Sequence, residues 1–337
     1  MIAPDPGFEF PRVTALEFLA PAFAAAASVV ILARFASPLG LLDEGGGAGL
    51  HRAPSGRRLV LVGGLALGIG LALAAWLASS PSAQLSSALS APWPGVAMFT
   101  ALAIGLADDT ARSGLSARSK SALQMLPALA FALGNDTPLA WLPALAFAAA
   151  LAAQNLANTF DNADGVLLAT AAAALAPARP VWSAILLAVL VFNLRWRGPA
   201  RVLLGDSGSH LIALMLCCEP RAWGAFVVPA LDLVRVALVR RSQARAWWLG
   251  DRTHLAHRLE ARGLRPLAVA LTLVLAGLPA ILAVACFEGA LARTLGIAAS
   301  AIAFLLAVRA TPAVDGHGAP IKETRSDSPL ASADRAR

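Results

Sequence analysis

Five aspartates stand where a strongly apolar chain should not tolerate them: Asp108, Asp109, Asp161, Asp164 and Asp206. Each lies at or near the end of a long apolar run. An ionised carboxylate near lipid costs several kcal/mol unless it faces water, a partner or a metal, so such residues mark candidate sites. Their contexts are Gly105-Leu106-Ala107-Asp108-Asp109, Asn158-Thr159-Phe160-Asp161-Asn162-Ala163-Asp164-Gly165 and Gly205-Asp206-Ser207-Gly208-Ser209. Three acidic clusters meeting at one face of a membrane suggest Mg²⁺ and a phosphate-bearing substrate.

Adjacent carboxylates such as Asp108 and Asp109 repel unless a cation sits between them. Lys120 downstream or a divalent metal would resolve that conflict, and Mg²⁺ is held by one or two carboxylates plus substrate phosphates. The pair also suits a merely solvated loop. The second cluster repeats at steps of three from Asn155 through Asn158 and Asp161 to Asp164. On a helix these would line roughly one face and could serve a metal, a nucleobase or a ribose; as a polar turn they would need no ligand. In the third, small residues let main-chain N–H groups approach a phosphate. The Gly-Asp-Ser-Gly of a serine protease needs a two-barrel β-fold, which this Ala/Leu-rich chain without Tyr does not offer. A fourth segment, Asp251-Arg252-Thr253-His254-Leu255-Ala256-His257-Arg258, could put two imidazoles on one helix face. It lacks the third ligand zinc wants, so an anion-binding loop fits its Arg density better, with a positively charged membrane anchor as the alternative.

The elements that must position these groups follow from composition. Of 337 residues, 58% are hydrophobic and 14% charged, against about 25% charged in soluble domains. With mean hydropathy +0.68, the chain reads as an all-α, polytopic membrane bundle. A ruler of about 20 residues per span gives about ten or eleven transmembrane helices. They fall near 14–34, 59–79, 93–108, 119–134, 138–154, 165–178, 180–194, 201–218, 222–240, 266–286 and 289–309, within one domain 1–309. The polar segment 310–337 reads as a disordered tail. The N-terminus lacks the basic start of a cleaved signal, so the first span reads as a retained anchor. Gly64 and Gly68 form either a packing face or a chance GxxxG. Cys217, Cys218 and Cys286 read as small core residues. Within the ninth span, Asp232 pairs with Arg235 one turn on.

Basic residues orient the bundle. Arg34, Arg52, Arg57, Arg58, Arg112, Arg118, Lys120, Arg195, Arg197, Arg201 and the Arg-rich stretch 235–265 fall on one face. The other face holds Arg12, Arg179, Arg221 and Arg293. Positive residues stay inside, so the N-terminus is expected outside, the tail cytoplasmic, and all acidic clusters on the cytoplasmic side. The basic pI marks this sidedness and not nucleic-acid binding.

In order and spacing the motifs resemble the polyprenyl-phosphate N-acetylhexosamine-1-phosphate transferases, over roughly residues 40–265. The resemblance rests on Gly105…Asp108-Asp109 with Lys120 and Gln124, the Asn155–Gly165 ladder, Phe192-Asn193 before Pro199-Ala200, Gly205–Ser209, and Asp251-Arg252-x-His254-x-x-His257-Arg258-Leu259. His51-Arg52-Ala53-Pro54…Gly63-Gly64 resembles the family's first cytoplasmic loop. Ala256 stands where relatives usually carry a further His, the loop 193–199 is long, and the stretch after Arg57 lacks the usual Pro-Arg-x-Gly-Gly.

The resemblance implies an enzyme of the bacterial inner membrane that moves a sugar-1-phosphate from a UDP-N-acetylhexosamine to undecaprenyl or another polyprenyl phosphate, releasing UMP. It implies Mg²⁺, or Mn²⁺, held by Asp206 and Asn158, with Asp108, Asp109, Asp206 and Lys120 catalytic. Asn155, Asp161, Asp164, Asn193, Arg252, His254, His257 and Arg258 would bind substrate. A homodimer is compatible with it, as is a covalent aspartyl-phosphate route. An intramembrane aromatic prenyltransferase would show two similar Asp-rich motifs, and an ion-coupled transporter would carry its acids mid-span in paired repeats; this sequence shows neither.

Overall fold

The computed structural model describes residues 14–43, 59–78, 92–111, 114–134, 142–194, 200–245 and 252–314. His51, Arg52, Arg57, Arg58, Arg112, Arg195, Arg197, Pro199, Asp251 and the tail beyond 314 lie outside the described residues. Among the described residues the regular structure is helical, apart from one short two-stranded pairing. The helices are α1 (Ala15–Phe35), α2 (Gly63–Ala78), α3 (Pro92–Thr110), α4 (Ala117–Leu133), α5 (Leu142–Phe160), α6 (Val166–Leu175), α7 (Pro180–Asn193), α8 (Gly205–Cys217), α9 (Val227–Ser242), α10 (Leu255–Ala261), α11 (Pro266–Cys286) and α12 (Ala290–Arg309). A 3₁₀ turn, Pro220–Phe226, leads into α9. By length and composition four helical stretches can cross a membrane: Ala15–Phe35, Pro220–Ser242, Pro266–Cys286 and Ala290–Arg309.

Local chemistry explains several boundaries. Thr14 and Glu17 form a reciprocal capping box at the start of α1, with the Thr14 N–H donating to Glu17 at 2.9 Å. Ser116 accepts from the Ser119 N–H at 3.1 Å to start α4. Proline opens α7 and α11, where its missing N–H costs nothing. Inside α11, Pro279 interrupts the ladder, and the next N–H, that of Ala280, donates to Ser300 Oγ of α12 at 3.0 Å.

The centre of the bundle is α8, buried on every side from Ser207 to Cys217, with small and polar residues in its first half and apolar ones from Leu211 on. It packs mainly against α3, α5 and α2. In contrast, only 17% of the most apolar stretch of α1 and 11% of that of α12 is buried. Their outward faces carry Leu16, Leu19, Phe23, Leu291, Leu295 and Leu306.

Three expected boundaries shift. The second span was expected from 59, yet Leu59–Val60 (β2) pairs antiparallel with Leu42–Asp43 (β1), and α2 starts only at Gly63. Val60 also bridges Val202 in parallel, so the eighth helix starts at Gly205 and not at 201. The apolar strand residues are indistinguishable by hydropathy from the helix they precede. Finally, the expected tail begins later: Thr311 and Val314 are buried.

Candidate functional site

The segment before α8 is braced on two sides. The Leu203 N–H donates to the Val60 carbonyl at 2.8 Å, and the Gly63 and Gly64 N–H groups donate to Leu203 and Leu204, each at 3.1 Å. This delivers Gly205 with φ +69°, where a Cβ would fall 2.3 Å from Asp109 Oδ2. A Cβ on Gly105 would fall 2.3 Å from the Ser207 N, and one on Gly64 2.3 Å from Ser207 Oγ. Gly68 abuts Leu102 of α3. The Gly64/Gly68 pair is therefore a packing face, though towards two different helices. The glycines let three helix backbones meet at the start of α8.

The two adjacent aspartates have separate tasks. Asp109 accepts from the Asp206 N–H at 2.8 Å, the Ser207 N–H at 3.1 Å and Ser207 Oγ at 2.6 Å. It satisfies N–H groups that a helix start leaves without partners and complements the helix dipole. Asp108 accepts from the Leu115 N–H and from Lys120 Nζ at 3.0 Å. Lys120 Nζ also contacts Asp206 Oδ2. One ammonium from α4 therefore bridges carboxylates from α3 and α8, with all three side chains partly accessible. One turn deeper a second rung repeats the pairing. Gln124 Nε2 lies 2.9 Å from His210 Nε2, and Asn155 Nδ2 lies 3.5 Å from Gln124 Oε1. His210 stands outside every motif of the sequence, although its i+4 spacing from Asp206 matches that of Gln124 from Lys120.

The ladder from Asn155 to Asp164 does not form a single face. Asn155 and Asn158 lie on α5, which ends at Phe160, while Asp161 and Asp164 belong to the turn before α6. Asn155 is exposed, and Asn158 and Asp161 are half-buried. Asp164 accepts from the Ala200 N–H at 2.9 Å. Asn193, 1% exposed, accepts from the Gly165 N–H at 2.8 Å and donates to the Val202 carbonyl at 2.9 Å. These bonds hold Asp164 and Asn193 as a brace between the turn and the 200–202 segment.

The histidines do not share a face either. His254 is the residue before α10, buried, with Nδ1 2.9 Å from Asp232 Oδ2. His257 lies on α10 with Nδ1 2.9 Å from Glu260. Arg258 donates to the carbonyls of Val308, Thr311 and Pro312 at 2.7–2.9 Å. It caps the end of α12, a role the sequence pattern did not distinguish from ligand binding. Partial burial, followed by the nearby Arg235 guanidinium, pulls the Arg258 guanidinium below its ordinary pKa. Arg252 is half-buried. Asp232 pairs with Arg235 as the i,i+3 spacing foretold. Cys217 is buried but Cys286 is exposed, against the expectation of a core residue.

Among the described residues, no three His, Cys, Asp or Glu side chains are grouped to hold a metal. Two carboxylates do converge on a single positive charge, the Lys120 ammonium, which stands in for a cation between Asp108 and Asp206. Hard oxygen donors in that number fit Mg²⁺ in its usual mode, where substrate phosphates and water complete the shell. Compared with known protein families and with curated proteins, the chain matches none.

Proposed function

We propose that the protein transfers an N-acetylhexosamine-1-phosphate from a UDP-sugar to a polyprenyl phosphate and belongs to the transferase family its motifs resemble. The observation that carries this reading is the Lys120 ammonium held between Asp108 and Asp206 at the start of α8, with Asp109 capping that helix. An oxygen of the lipid phosphate attacks the β-phosphorus of the UDP-sugar. A new phosphorus–oxygen bond forms, the bridge to the α-phosphate breaks, and UMP leaves with the bonding pair. Such transfers ask the protein for positioning and charge neutralisation more than for covalent chemistry.

By the resemblance Asp206 and Asn158 would hold Mg²⁺, with Asp108 as the carboxylate that meets the same cation beside Asp206; when bound, the metal would neutralise phosphate charge. Lys120 turns its ammonium from the carboxylates to the entering phosphates, since its flexible stem carries a point charge with three donors. Asp108 orients the lipid phosphate and takes a proton at Oδ2 when the phosphate arrives as its monoanion. Asp109 keeps the Asp206 and Ser207 N–H groups in place. Asn155, Asp161, Arg252, His254 and His257 meet the nucleotide sugar, while Asp164, Asn193 and Arg258 shape the site through their main-chain bonds.

The same reading sets sidedness. The ends of α1, α9 and α12 that carry Arg34, Arg240, Arg241 and Arg309 lie in the cytoplasm of a bacterial inner membrane, as do the acidic clusters. The N-terminus is outside. A lipid substrate stays in the bilayer while a UDP-sugar arrives from the cytosol, and both meet at the start of α8.

The test supplies purified protein with Mg²⁺, undecaprenyl phosphate and a panel of UDP-N-acetylhexosamines and follows UMP. Release with at least one sugar is expected, and Asp206→Ala should lower it by about 10²–10³-fold while the protein stays folded. No UMP with any sugar, or full activity of Asp206→Ala, overturns the assignment.

A further inference from the structure

Asp232 sits midway along α9, 6% exposed, and its carboxylate is heavily bonded. Arg235 Nε and Nη2 donate to Oδ1 at 3.0 and 2.8 Å. The Leu255 N–H lies 3.2 Å from both oxygens, and His254 Nδ1 lies 2.9 Å from Oδ2. Arg235 Nη2 also donates to the Thr253 carbonyl at 2.6 Å. Three consecutive residues, Thr253 to Leu255, are thus fastened to one carboxylate–guanidinium pair.

The chemistry of these partners fixes the imidazole. A carboxylate receiving a guanidinium and a main-chain N–H offers only acceptor atoms. The ring nitrogen that faces it must carry hydrogen, so Nδ1 is spent and Nε2 is the one nitrogen His254 has left for a ligand. His254 and Asp232 line a small cleft of about 10 Å³, room for a water-sized group, with Thr159, Asn162, Ala256 and Leu273. That cleft joins the turn at the end of α5 to the histidine segment, two regions given above to the UDP-sugar.

We propose that Asp232 is a positioning residue for the nucleotide sugar: it sets the ring of His254 so that Nε2, and not Nδ1, is offered to the cleft. Asp232 itself touches no substrate. The identity of the ligand rests on the transferase reading; the ring's orientation does not. Carboxylates behind a ligating histidine act in this way at metal centres, fixing tautomer and orientation, and their loss there costs roughly 10–100-fold.

Asp232→Asn separates this role from a purely structural one. Its amide oxygen can still accept from Arg235 and Leu255, but its NH₂ turns towards His254, which must then accept at Nδ1 and carry hydrogen on Nε2. Full-length protein labelled with ¹⁵N-histidine in detergent reports this directly, with the His254 signals assigned by their loss in His254→Ala. We expect hydrogen on Nδ1 in the native protein and its loss from Nδ1 in Asp232→Asn. A native His254 without hydrogen on Nδ1 overturns the proposal even if the variant cannot be purified, and so does a folded variant that keeps it. In the activity assay, Asp232→Asn should lower kcat/KM for the UDP-sugar roughly 10–100-fold and cost nothing more in a His254→Ala background. A fully additive loss there would mean that Asp232 acts on the fold, and the positioning role would fall. Absence of UMP release from the native protein sinks the transferase reading alone, and the ring spectra still judge Asp232.

Discussion

Asp206 and Asp232 are both carboxylates set against a cation inside the bundle, and they are partnered in opposite ways. Asp206 meets one ammonium, which it shares with Asp108, at a partly accessible helix start. Asp232 meets a planar guanidinium, an imidazole and a main-chain N–H, deep in the packing. A lysine holds its partner as a point charge on four rotatable bonds, whereas an arginine locks its partner in a rigid fork. The first arrangement can give up its cation when phosphates or a metal arrive. The second cannot exchange anything without leaving a buried charge uncompensated. One carboxylate is thus arranged to change partners and the other to hold its neighbours still.

The largest expected effect tests the fixed member. Asp232→Ala leaves the Arg235 guanidinium and His254 without their carboxylate and should cost about 3–5 kcal/mol, read as a lowered unfolding midpoint in detergent. A loss under about 1 kcal/mol would break the contrast. Next comes the exchangeable member. Lys120→Met should reduce UMP release by about 10²–10³-fold, as removal of one transition-state donor does. Its unfolding midpoint should move far less than that of Asp232→Ala, because two partly hydrated carboxylates remain. Should the midpoint fall as far, Lys120 is a structural ion pair. The smallest effect sharpens the comparison at Asp109, beside both roles. Asp109→Ala removes the acceptor for two N–H groups of α8 and should cost about 1–2 kcal/mol, in the range of a lost helix cap, measured by the same melting curves.

Much of this architecture is legible in the sequence, for identifiable reasons. Apolar runs carry their signal in composition alone, so α1 to α9, α11 and α12 stand close to where hydropathy puts them, while the short, polar α10 lies in a stretch that reads as a loop. The Asp232–Arg235 pair is local, and helical spacing suffices to read it. What escapes is set by tertiary contact or by short irregular backbone. Leu59 and Val60 look like the start of a span because a buried strand and a buried helix share the same residue types. Asp161 and Asp164 look like rungs of one helix, but Asn162 and Gly165 favour a turn, and Gly165 takes φ +78°. The division of labour between Asp108 and Asp109 could not be read from a dipeptide, because it depends on how α3 meets α8, 97 residues later in the chain. His254 points to Asp232 across 22 residues, a separation that no periodicity reports.

The bonds from Arg258 to the carbonyls of Val308, Thr311 and Pro312 span 50 to 54 residues. During synthesis, therefore, the histidine-bearing turn emerges long before its last clasp exists. That guanidinium must wait, hydrated, until α12 has left the ribosome. A chain cut short ahead of Val308 would lack this closure however well its other helices had assembled, so the nascent protein acquires its finished turn only once α12 is in place.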